Sequence, residues 1–159
     1  MIIRVVDLHP EGMRIDRQLT LGPLGFEGDQ ELDVSDARLE VHVTRHGEGM
    51  SCSGRLVALT HVPCSRCLET YTMPVDRTFE VSYLPPPAPV PSEPELQIFR
   101  DDLDVSYLDA EGGLKVEDLA AEQIYLELPL KPLCSAECRG LCPGCGANLN
   151  HEPCTCRTA

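Results

Sequence analysis

Apolar and polar residues alternate along most of the first 84 residues, which is the period of half-buried β-strands. In the segment Arg38-Leu-Glu-Val-His-Val-Thr-Arg45, for example, the aliphatic residues share one face and polar residues occupy the other. Because no segment long enough for a crossover helix separates such runs, we expect them to pair as an antiparallel meander. The predicted strands are 1–8, 38–45, 50–62 and 69–84, the last as one long strand or as two short ones divided at Pro74.

One later segment has helical periodicity. From 116 to 128 the apolar residues recur three and four positions apart, and Glu117 and Asp118 fall in the first turn, where the helix dipole favours acidic side chains. Pro129 follows and ends the helix. Before this helix lies the proline-rich stretch 85–94, which predicts a stiff, extended loop.

The composition limits the class of protein. The chain has 159 residues, of which 42% are hydrophobic, so it can form a core, and that core must be aliphatic because aromatic residues make up 4%. No apolar run reaches the roughly 18 residues of a membrane span. Arg4 and Asp7 also interrupt the start of the chain, where a signal peptide needs an apolar stretch. We therefore expect a cytoplasmic protein with no membrane contact, whose thiols stay reduced.

The formal net charge is −13, which argues against a free-standing nucleic-acid-binding protein because such binding depends on neutralising phosphates. The segment 98–127 alone has nine acidic residues and two basic ones. Such a segment is usually a solvated face, and the alternative is a docking surface for a basic partner such as a ribosomal protein. Four basic residues near the cysteines either contact RNA or are ordinary surface charges: Arg66, Lys131, Arg139 and Arg157.

Nine cysteines carry the most specific chemical signal in the sequence. Eight of them fall in closely spaced pairs, and in a reducing compartment that spacing favours metal binding over disulfides. Four thiolates form the closed tetrahedral site that Zn²⁺ prefers, with no open position for catalysis, so two structural zinc ions are predicted. An iron–sulfur centre is the alternative for four thiolates. The predicted ligands are Cys64, Cys67, Cys134, Cys138, Cys142, Cys145, Cys154 and Cys156.

These ligands can be paired in two ways. Local closure costs less chain entropy, which favours keeping the last four cysteines together. This arrangement groups Cys64, Cys67, Cys134 and Cys138 in one site and Cys142, Cys145, Cys154 and Cys156 in the other. The alternative joins the two Cys-x2-Cys pairs in one site, as in a two-knuckle ribbon: Cys64 and Cys67 with Cys142 and Cys145.

Together these elements predict an α+β fold: a mostly antiparallel β-sheet, one amphipathic helix, and a zinc-bound, cysteine-rich C-terminal segment. Residues 1–133 are expected to form the β-rich domain, and residues 134–159 a zinc-binding segment packed on the same domain. The remaining cysteine, Cys52, is expected to be buried as a small hydrophobe. His61 and His151 lie near cysteines in the sequence and either replace a ligand or are ordinary surface histidines.

The sequence has no glycine-rich phosphate loop, no Gly-x-Ser-x-Gly and no His-Glu-x-x-His motif. We therefore expect a protein that is not an enzyme, has no catalytic residues and takes no small-molecule substrate. Two other interpretations stay open. Cys64 and Cys67 could form a thiol–disulfide redox pair, although such pairs usually begin a helix within a βαβ unit. The cysteine-rich segment could also be a nucleic-acid-binding zinc ribbon of the transcription-associated type.

Four motifs follow one another in a specific order: Cys64-Ser-Arg-Cys67-Leu-Glu, Leu114-Lys-Val-Glu-Asp-Leu-Ala-Ala-Glu-Gln, Leu126-Glu-Leu-Pro-Leu-Lys-Pro-Leu-Cys134 and Gly140-Leu-Cys-Pro-Gly-Cys-Gly-Ala-Asn-Leu-Asn150. Over about residues 38–156 the chain resembles the YceD family, whose members are described as large ribosomal RNA subunit accumulation proteins. The resemblance implies a cytoplasmic bacterial or plastid factor in ribosome biogenesis, without enzymatic activity. Its implied partner is the large-subunit ribosomal RNA precursor or a basic large-subunit ribosomal protein. The acidic net charge favours the second, with any nucleic-acid contact weak or indirect.

Overall fold

The computed structural model describes residues 1–26, 30–86, 105–154 and 156. The elements formed by these residues are β1 (Ile2–Arg4), β2 (Met13–Leu19), β3 (Leu24–Phe26), β4 (Gln30–His46), β5 (Gly49–Pro63), β6 (Thr70–Leu84), β7 (Val105–Tyr107), β8 (Gly113–Lys115) and α1 (Val116–Glu127). The main sheet of the described residues has six strands in the order β2-β4-β5-β6-β7, with β3 paired to β4, and β1 and β8 form a separate pair. This architecture confirms the predicted α+β class.

The centre of the main sheet is the antiparallel meander β4–β5–β6, as the alternating pattern predicts. On β4, the aliphatic residues Leu39, Val41 and Val43 are buried. β6 runs through Pro74 without a break. Because β7 pairs only with the last residues of β6, Pro74 lies on the edge of the described sheet, and edge positions tolerate a residue without an N–H group.

Two features differ from a simple meander. β7 pairs with the end of β6 in parallel, and the connection of residues 85–104 is long enough for the crossover that parallel pairing needs. The strand predicted at 1–8 forms only at Ile2–Arg4 and pairs with β8 instead of joining the main sheet. A short 3₁₀ helix at Val5–Asp7 ends this pairing.

Helix α1 confirms the predicted amphipathic helix. Its buried residues have the predicted spacing: Val116, Leu119, Ala120, Gln123 and Ile124. The polar member, Gln123, accepts a hydrogen bond at its Oε1 from the Nε of Arg77 on β6, at 3.1 Å. The N–H group of Leu128 donates to carbonyls of the last turn, and Pro129 cannot continue the helix. The buried residues of α1 and the buried aliphatic residues of the sheet form one core, so α1 packs against the face of the sheet that carries them.

The core between the sheet and α1 is aliphatic, as the composition predicts. Cys52 on β5 is fully buried in this core, which confirms the expectation of a small hydrophobe. Burial, followed by the nearby carboxylate of Glu122, raises the pKa of Cys52 to about 12. At neutral pH it is therefore a protonated thiol, which is an unreactive form of cysteine.

Some predictions concern residues outside the described ranges. The residues concerned are 87–94 of the proline-rich stretch, 98–104 of the acidic segment 98–127, and Arg157. The division into a domain of 1–133 and a segment of 134–159 stays a prediction. In the described ranges, no helix has both the length and the apolar character needed to cross a membrane.

Candidate metal centres

The eight predicted ligands lie in two groups of four, and within each group all Sγ atoms lie within 4.8 Å of one another. We call Cys64, Cys67, Cys134 and Cys138 the sheet-side cluster, and Cys142, Cys145, Cys154 and Cys156 the tail cluster. This is the grouping that local chain closure favours, and the two Cys-x2-Cys pairs therefore belong to different clusters. All nine cysteines are free thiols.

The sheet-side cluster joins the turn after β5 to the segment that follows α1. Cys64 and Cys67 lie on the turn between β5 and β6, and Cys134 and Cys138 come from the segment beyond the helix. The Sγ atoms of Cys64 and Cys138 are 3.7 Å apart, as are those of Cys67 and Cys134. The cluster therefore connects two parts of the chain that are distant in sequence.

The two Cys-x2-Cys turns have the same backbone hydrogen bonds. The N–H two residues after the first cysteine donates to its Sγ: Arg66 to Cys64 at 3.5 Å, and Gly144 to Cys142 at 3.4 Å. The N–H four residues after the first cysteine donates to its carbonyl, at 2.9 Å in both turns. N–H groups that point at sulfur stabilise the thiolate form, which is the form that binds metal.

The residue after the second cysteine of each turn has a left-handed conformation: Leu68 has φ 62 and Gly146 has φ 75. Glycine adopts this conformation without strain, whereas leucine does not. Gly140, between the clusters, has φ 72 and also lies close to the first turn. A Cβ at Gly140 would be 3.0 Å from the carbonyl oxygen of Arg66, so this position needs both the conformation and the small size of glycine.

The two clusters differ in exposure. In the sheet-side cluster, all but Cys134 are buried, and they pack with partly buried apolar residues, namely Tyr71, Leu133 and Leu141. In the tail cluster, Cys142 is the buried member, and Cys145 and Cys156 are exposed. The sheet-side cluster is therefore part of the protein interior, whereas the tail cluster lies at the surface.

Local hydrogen bonds favour ionisation of Cys64 and Cys138 in the sheet-side cluster and of Cys142 in the tail cluster. Burial raises the pKa of Cys64, but backbone N–H groups outweigh this effect and lower that pKa to about 6. The Cys154 thiol, followed by backbone N–H groups, lowers the pKa of Cys142 to about 6. Burial raises the pKa of Cys67 to about 12, and hydrogen bonds within the tail cluster raise the pKa of Cys156 to about 12. At neutral pH each metal-free cluster therefore holds both thiolates and thiols.

The donor sets fit a single tetrahedral metal ion. Four sulfurs at a Zn–S distance of about 2.3 Å lie about 3.8 Å from one another. The 3.7 Å distances in the sheet-side cluster agree with this geometry, and the tail cluster has distances of 3.1 and 3.6 Å from Cys154 to Cys142 and Cys145. Sulfurs this close around one centre leave no room for the bridging sulfides of a multi-iron cluster. Each cluster could therefore hold one metal ion.

The two histidines named from the sequence lie outside the four-cysteine groups. The ring nitrogens of His61 lie 3.3 Å from the hydroxyls of Ser35 and Thr72. The Nε2 of His151 lies 2.8 Å from the Oε1 of Glu69, which is two residues after Cys67. His61 therefore contacts side chains of β4 and β6, and His151 links the C-terminal segment to the turn between β5 and β6.

The basic residues near the cysteines have different roles. Arg66 donates through Nη1 to the carbonyl of Cys138 at 2.9 Å, so its guanidinium holds the sheet-side cluster together. Lys131 borders a surface groove of about 370 Å³. Arg139 is exposed, and its backbone N–H is engaged by the tail. Within the described residues, Arg66, Lys131 and Arg139 are all exposed positive charges beside the clusters, and Arg66 also has its guanidinium engaged by the Cys138 carbonyl.

Sequence reasoning missed Asn150, whose side chain contacts the sheet-side cluster. Its Nδ2 donates to the Sγ of Cys138 at 3.4 Å, and its Oδ1 accepts from the N–H of Arg139 at 2.8 Å. The bond from Asn150 is the largest of the effects that lower the pKa of Cys138. Cysteine spacing carries no information on such a contact, and the available signal was the Asn-Leu-Asn sequence that ends the fourth motif.

Both clusters lie within the part of the chain that matches a known protein family. Residues 52–159 match the profile of the family described as "Large ribosomal RNA subunit accumulation protein YceD". The chain belongs to the YceD family. This confirms the resemblance drawn from the four motifs and links the family to a role in the accumulation of large-subunit ribosomal RNA.

Individual relatives extend this finding. A protein of Zea mays named "Large ribosomal RNA subunit accumulation protein YCED homolog 1, chloroplastic" is 29% identical over 89% of this chain and 57% of its own length. The protein of the same name in Arabidopsis thaliana is 24% identical over 78% of this chain and 44% of its own length. An uncharacterised protein of Mycobacterium tuberculosis is 31% identical over 72% of this chain and 52% of its own length. The chain spans about half the length of the curated relatives it matches. No solved structure matches it.

Two glycine substitutions test the close packing of the clusters. Gly140 and Gly146 have nearly the same φ, so alanine at either position should cost about 1–2 kcal/mol of stability through backbone strain. A Cβ at Gly146 meets no atom within 4 Å, whereas one at Gly140 meets the Arg66 carbonyl. We therefore expect Gly140→Ala to cost a further 1–3 kcal/mol or so. Thermal unfolding of the two variants measures the difference, and equal losses would contradict the packing at Gly140.

Metal affinity is expected to fall as the pH falls. Binding must displace protons from thiols whose pKa is raised, such as Cys67 and Cys156, so protons compete with the metal. The dependence should steepen below about pH 6, where Cys64 and Cys142 are also protonated in the metal-free protein. Competition between the protein and a chelator for Zn²⁺, measured from roughly pH 5 to pH 8, tests this. An affinity that does not change over that range would count against thiolate ligation.

Proposed function

We propose that this protein is a non-catalytic binding factor that supports the accumulation of large-subunit ribosomal RNA and is held together by two structural Zn²⁺ ions. The observation that carries the proposal is that each cluster offers four sulfurs within 4.8 Å of one another. Four protein ligands fill the tetrahedral coordination of Zn²⁺ and leave no position for water or substrate. The biological role rests on membership in the YceD family and on the name of the maize relative.

Zn²⁺ is the ion that these clusters suit best. It prefers four ligands in a tetrahedron, accepts thiolates, and has no redox chemistry of its own in proteins. When bound, it supplies a cross-link between segments of the chain. In the sheet-side cluster, Cys64 and Cys67 would bind it from the β5–β6 turn and Cys134 and Cys138 from the segment after α1. In the tail cluster, all four ligands come from the last part of the chain.

The surroundings of Cys64 and Cys67 support a structural role over thiol–disulfide exchange. Their side chains are 0% and 3% exposed, so a disulfide substrate has no access to either sulfur. They lie on a turn between two strands, and not at the start of a helix where the dipole would activate a redox cysteine.

A basic protein partner fits the charge of the described surface. Helix α1 and the strands β7 and β8 border an open cavity of about 510 Å³. Three acidic residues and one basic residue line this cavity, namely Asp109, Asp118 and Glu122, and Lys115. Two zinc ions bound by four thiolates each would take the formal charge from −13 to about −17. Long-range attraction therefore favours a basic large-subunit ribosomal protein over RNA as the direct partner.

Elemental analysis tests the metal part of the proposal. Protein purified without a chelator is expected to contain two zinc ions per chain, one for each cluster. Cys154→Ser together with Cys156→Ser should reduce this to one, because the sheet-side cluster keeps all its ligands. Cys52→Ser is the matched control, since Cys52 is buried in the aliphatic core and should leave the zinc content unchanged. Iron in place of zinc, or fewer than two ions in the unaltered protein, would contradict the proposal.

A binding experiment tests the partner. Immobilised, zinc-loaded protein is exposed to the proteins extracted from large ribosomal subunits and, separately, to large-subunit RNA freed of protein. We expect basic ribosomal proteins to be retained at low salt and released above about 0.15 M salt, where surface charges are screened. Glu111→Gln together with Asp118→Asn should weaken retention roughly threefold or more, because Asp118 lines the cavity and Glu111 lies in the β7–β8 loop, whose ends border it.

The control removes equal charge elsewhere. Glu48→Gln together with Glu80→Gln alters two exposed carboxylates on the β4–β5 turn and on β6, and retention should not change. Equal weakening by both pairs of substitutions would show that retention depends on net charge alone, and would contradict binding at the acidic surface around the cavity. Retention of the RNA, with steep salt dependence, would instead favour the zinc-ribbon interpretation.

A further inference from the structure

A short segment of chain between two ligands of the tail cluster contacts the sheet-side cluster. Residues 148–151 lie between the ligands Cys145 and Cys154 in sequence. In space, Asn150 reaches the sheet-side cluster, where its Nδ2 lies 3.4 Å from the Sγ of Cys138. Its Oδ1 accepts the backbone N–H of Arg139, at 2.8 Å. A side chain that lies between two tail-cluster ligands in sequence thus donates to a ligand sulfur of the sheet-side cluster.

The backbone around Asn150 is held in place by its neighbours. The N–H of Leu149 donates to the carbonyl of Gly140 at 2.9 Å, and the N–H of Asn150 donates to the Oδ1 of Asn148 at 3.0 Å. On the other side, His151 lies 2.8 Å from Glu69 of the first turn. The contact between Asn150 and Cys138 therefore depends on the folding of the whole segment against the sheet-side cluster.

An amide is well suited to this position. A divalent ion with four thiolates has a net charge of −2, and a neutral N–H donor at a sulfur relieves part of that charge. An asparagine side chain offers a donor and an acceptor on one planar group, so Asn150 can bind Cys138 and Arg139 together. A carboxylate in the same place would keep the acceptor and lose the donor.

We propose that Asn150 is a positioning residue through which the tail cluster raises the metal affinity of the sheet-side cluster; this rests on the proposed binding of metal at both clusters. An ion in the tail cluster fixes the chain at Cys145 and Cys154, on either side of Asn150. Less chain entropy is then lost when Asn150 docks on Cys138. Because such coupling is reciprocal, an ion in the sheet-side cluster strengthens binding at the tail cluster by the same factor.

Cadmium-113 NMR combined with chelator competition tests the coupling. The full chain loaded with ¹¹³Cd²⁺ should give one resonance for each cluster, and Cys154→Ser together with Cys156→Ser identifies the tail-cluster resonance by its loss. The chemical shift of the ion responds to hydrogen bonds at its sulfur ligands. Loss of the bond to Cys138 should therefore move the sheet-side resonance, which a general loss of stability would not do.

Two substitutions separate the bond to sulfur from the bond to the backbone. Asn150→Ala removes both bonds, whereas Asn150→Asp keeps the acceptor for Arg139 and removes the donor to Cys138. Both variants should shift the sheet-side resonance and lower the Cd²⁺ affinity of that cluster about tenfold. Glu152→Gln, an exposed change in the same part of the tail, is the matched control and should do neither.

The cysteine double variant completes the test. With Cys154 and Cys156 replaced by serine, the affinity of the sheet-side cluster should already be about tenfold lower, and Asn150→Ala should lower it little further. An unchanged affinity and resonance in the Asn150 variants overturns the coupling, as does a full tenfold effect of Asn150→Ala in the double variant. Two bound ions in the unaltered protein would then leave the zinc proposal intact, whereas a chain that binds no metal overturns both.

Discussion

The junction between the turn after β5 and the segment after α1 is the interaction on which the rest of the structure depends. The sulfurs of Cys67 and Cys134 are 67 positions apart in sequence and 3.7 Å apart in space. Around them the protein buries little else, since the second core consists of three cysteines and three partly buried apolar residues. A segment rich in cysteine, glycine and proline cannot form a hydrophobic core of its own. The proposed metal ion therefore supplies the stability that such a core would otherwise provide.

The β-sheet and the helix bring the two halves of this junction together. β5 and β6 pair over nearly their whole length, so the turn that joins them is held at the end of a long hairpin. Helix α1 packs on the face of the same hairpin and directs the following chain back toward that turn, where the N–H of Ser65 donates to the carbonyl of Pro132 at 2.8 Å. The aliphatic core thus determines where the cysteines meet, and the cysteines determine how the tail folds.

Elements that depend on periodicity could be predicted from the sequence, and features that depend on single contacts could not. β5 and α1 each bury one face, and the spacing of their apolar residues shows their type and nearly all of their length, whereas the alternating pattern predicts only residues 38–45 of β4. The cysteine grouping follows the entropy of chain closure. The parallel pairing of β7 depends on the path of a long connection, which no periodicity encodes. The contact of Asn150 could not be predicted because Asn150 lies between two ligands of the tail cluster in sequence, whereas the sulfur it contacts belongs to the sheet-side cluster.

The continuity of β6 through Pro74 affects how the protein behaves in concentrated solution. Among the described residues, Thr70–Val81 pair with a neighbouring strand on one side only, so this stretch is an open edge that a strand of another molecule could extend. Pro74 has no N–H to offer such a strand. Glu80 places a negative charge on the same stretch, which repels a second copy of an acidic chain. The proline that the sequence pattern marks as an interruption is therefore a protection against edge-to-edge aggregation.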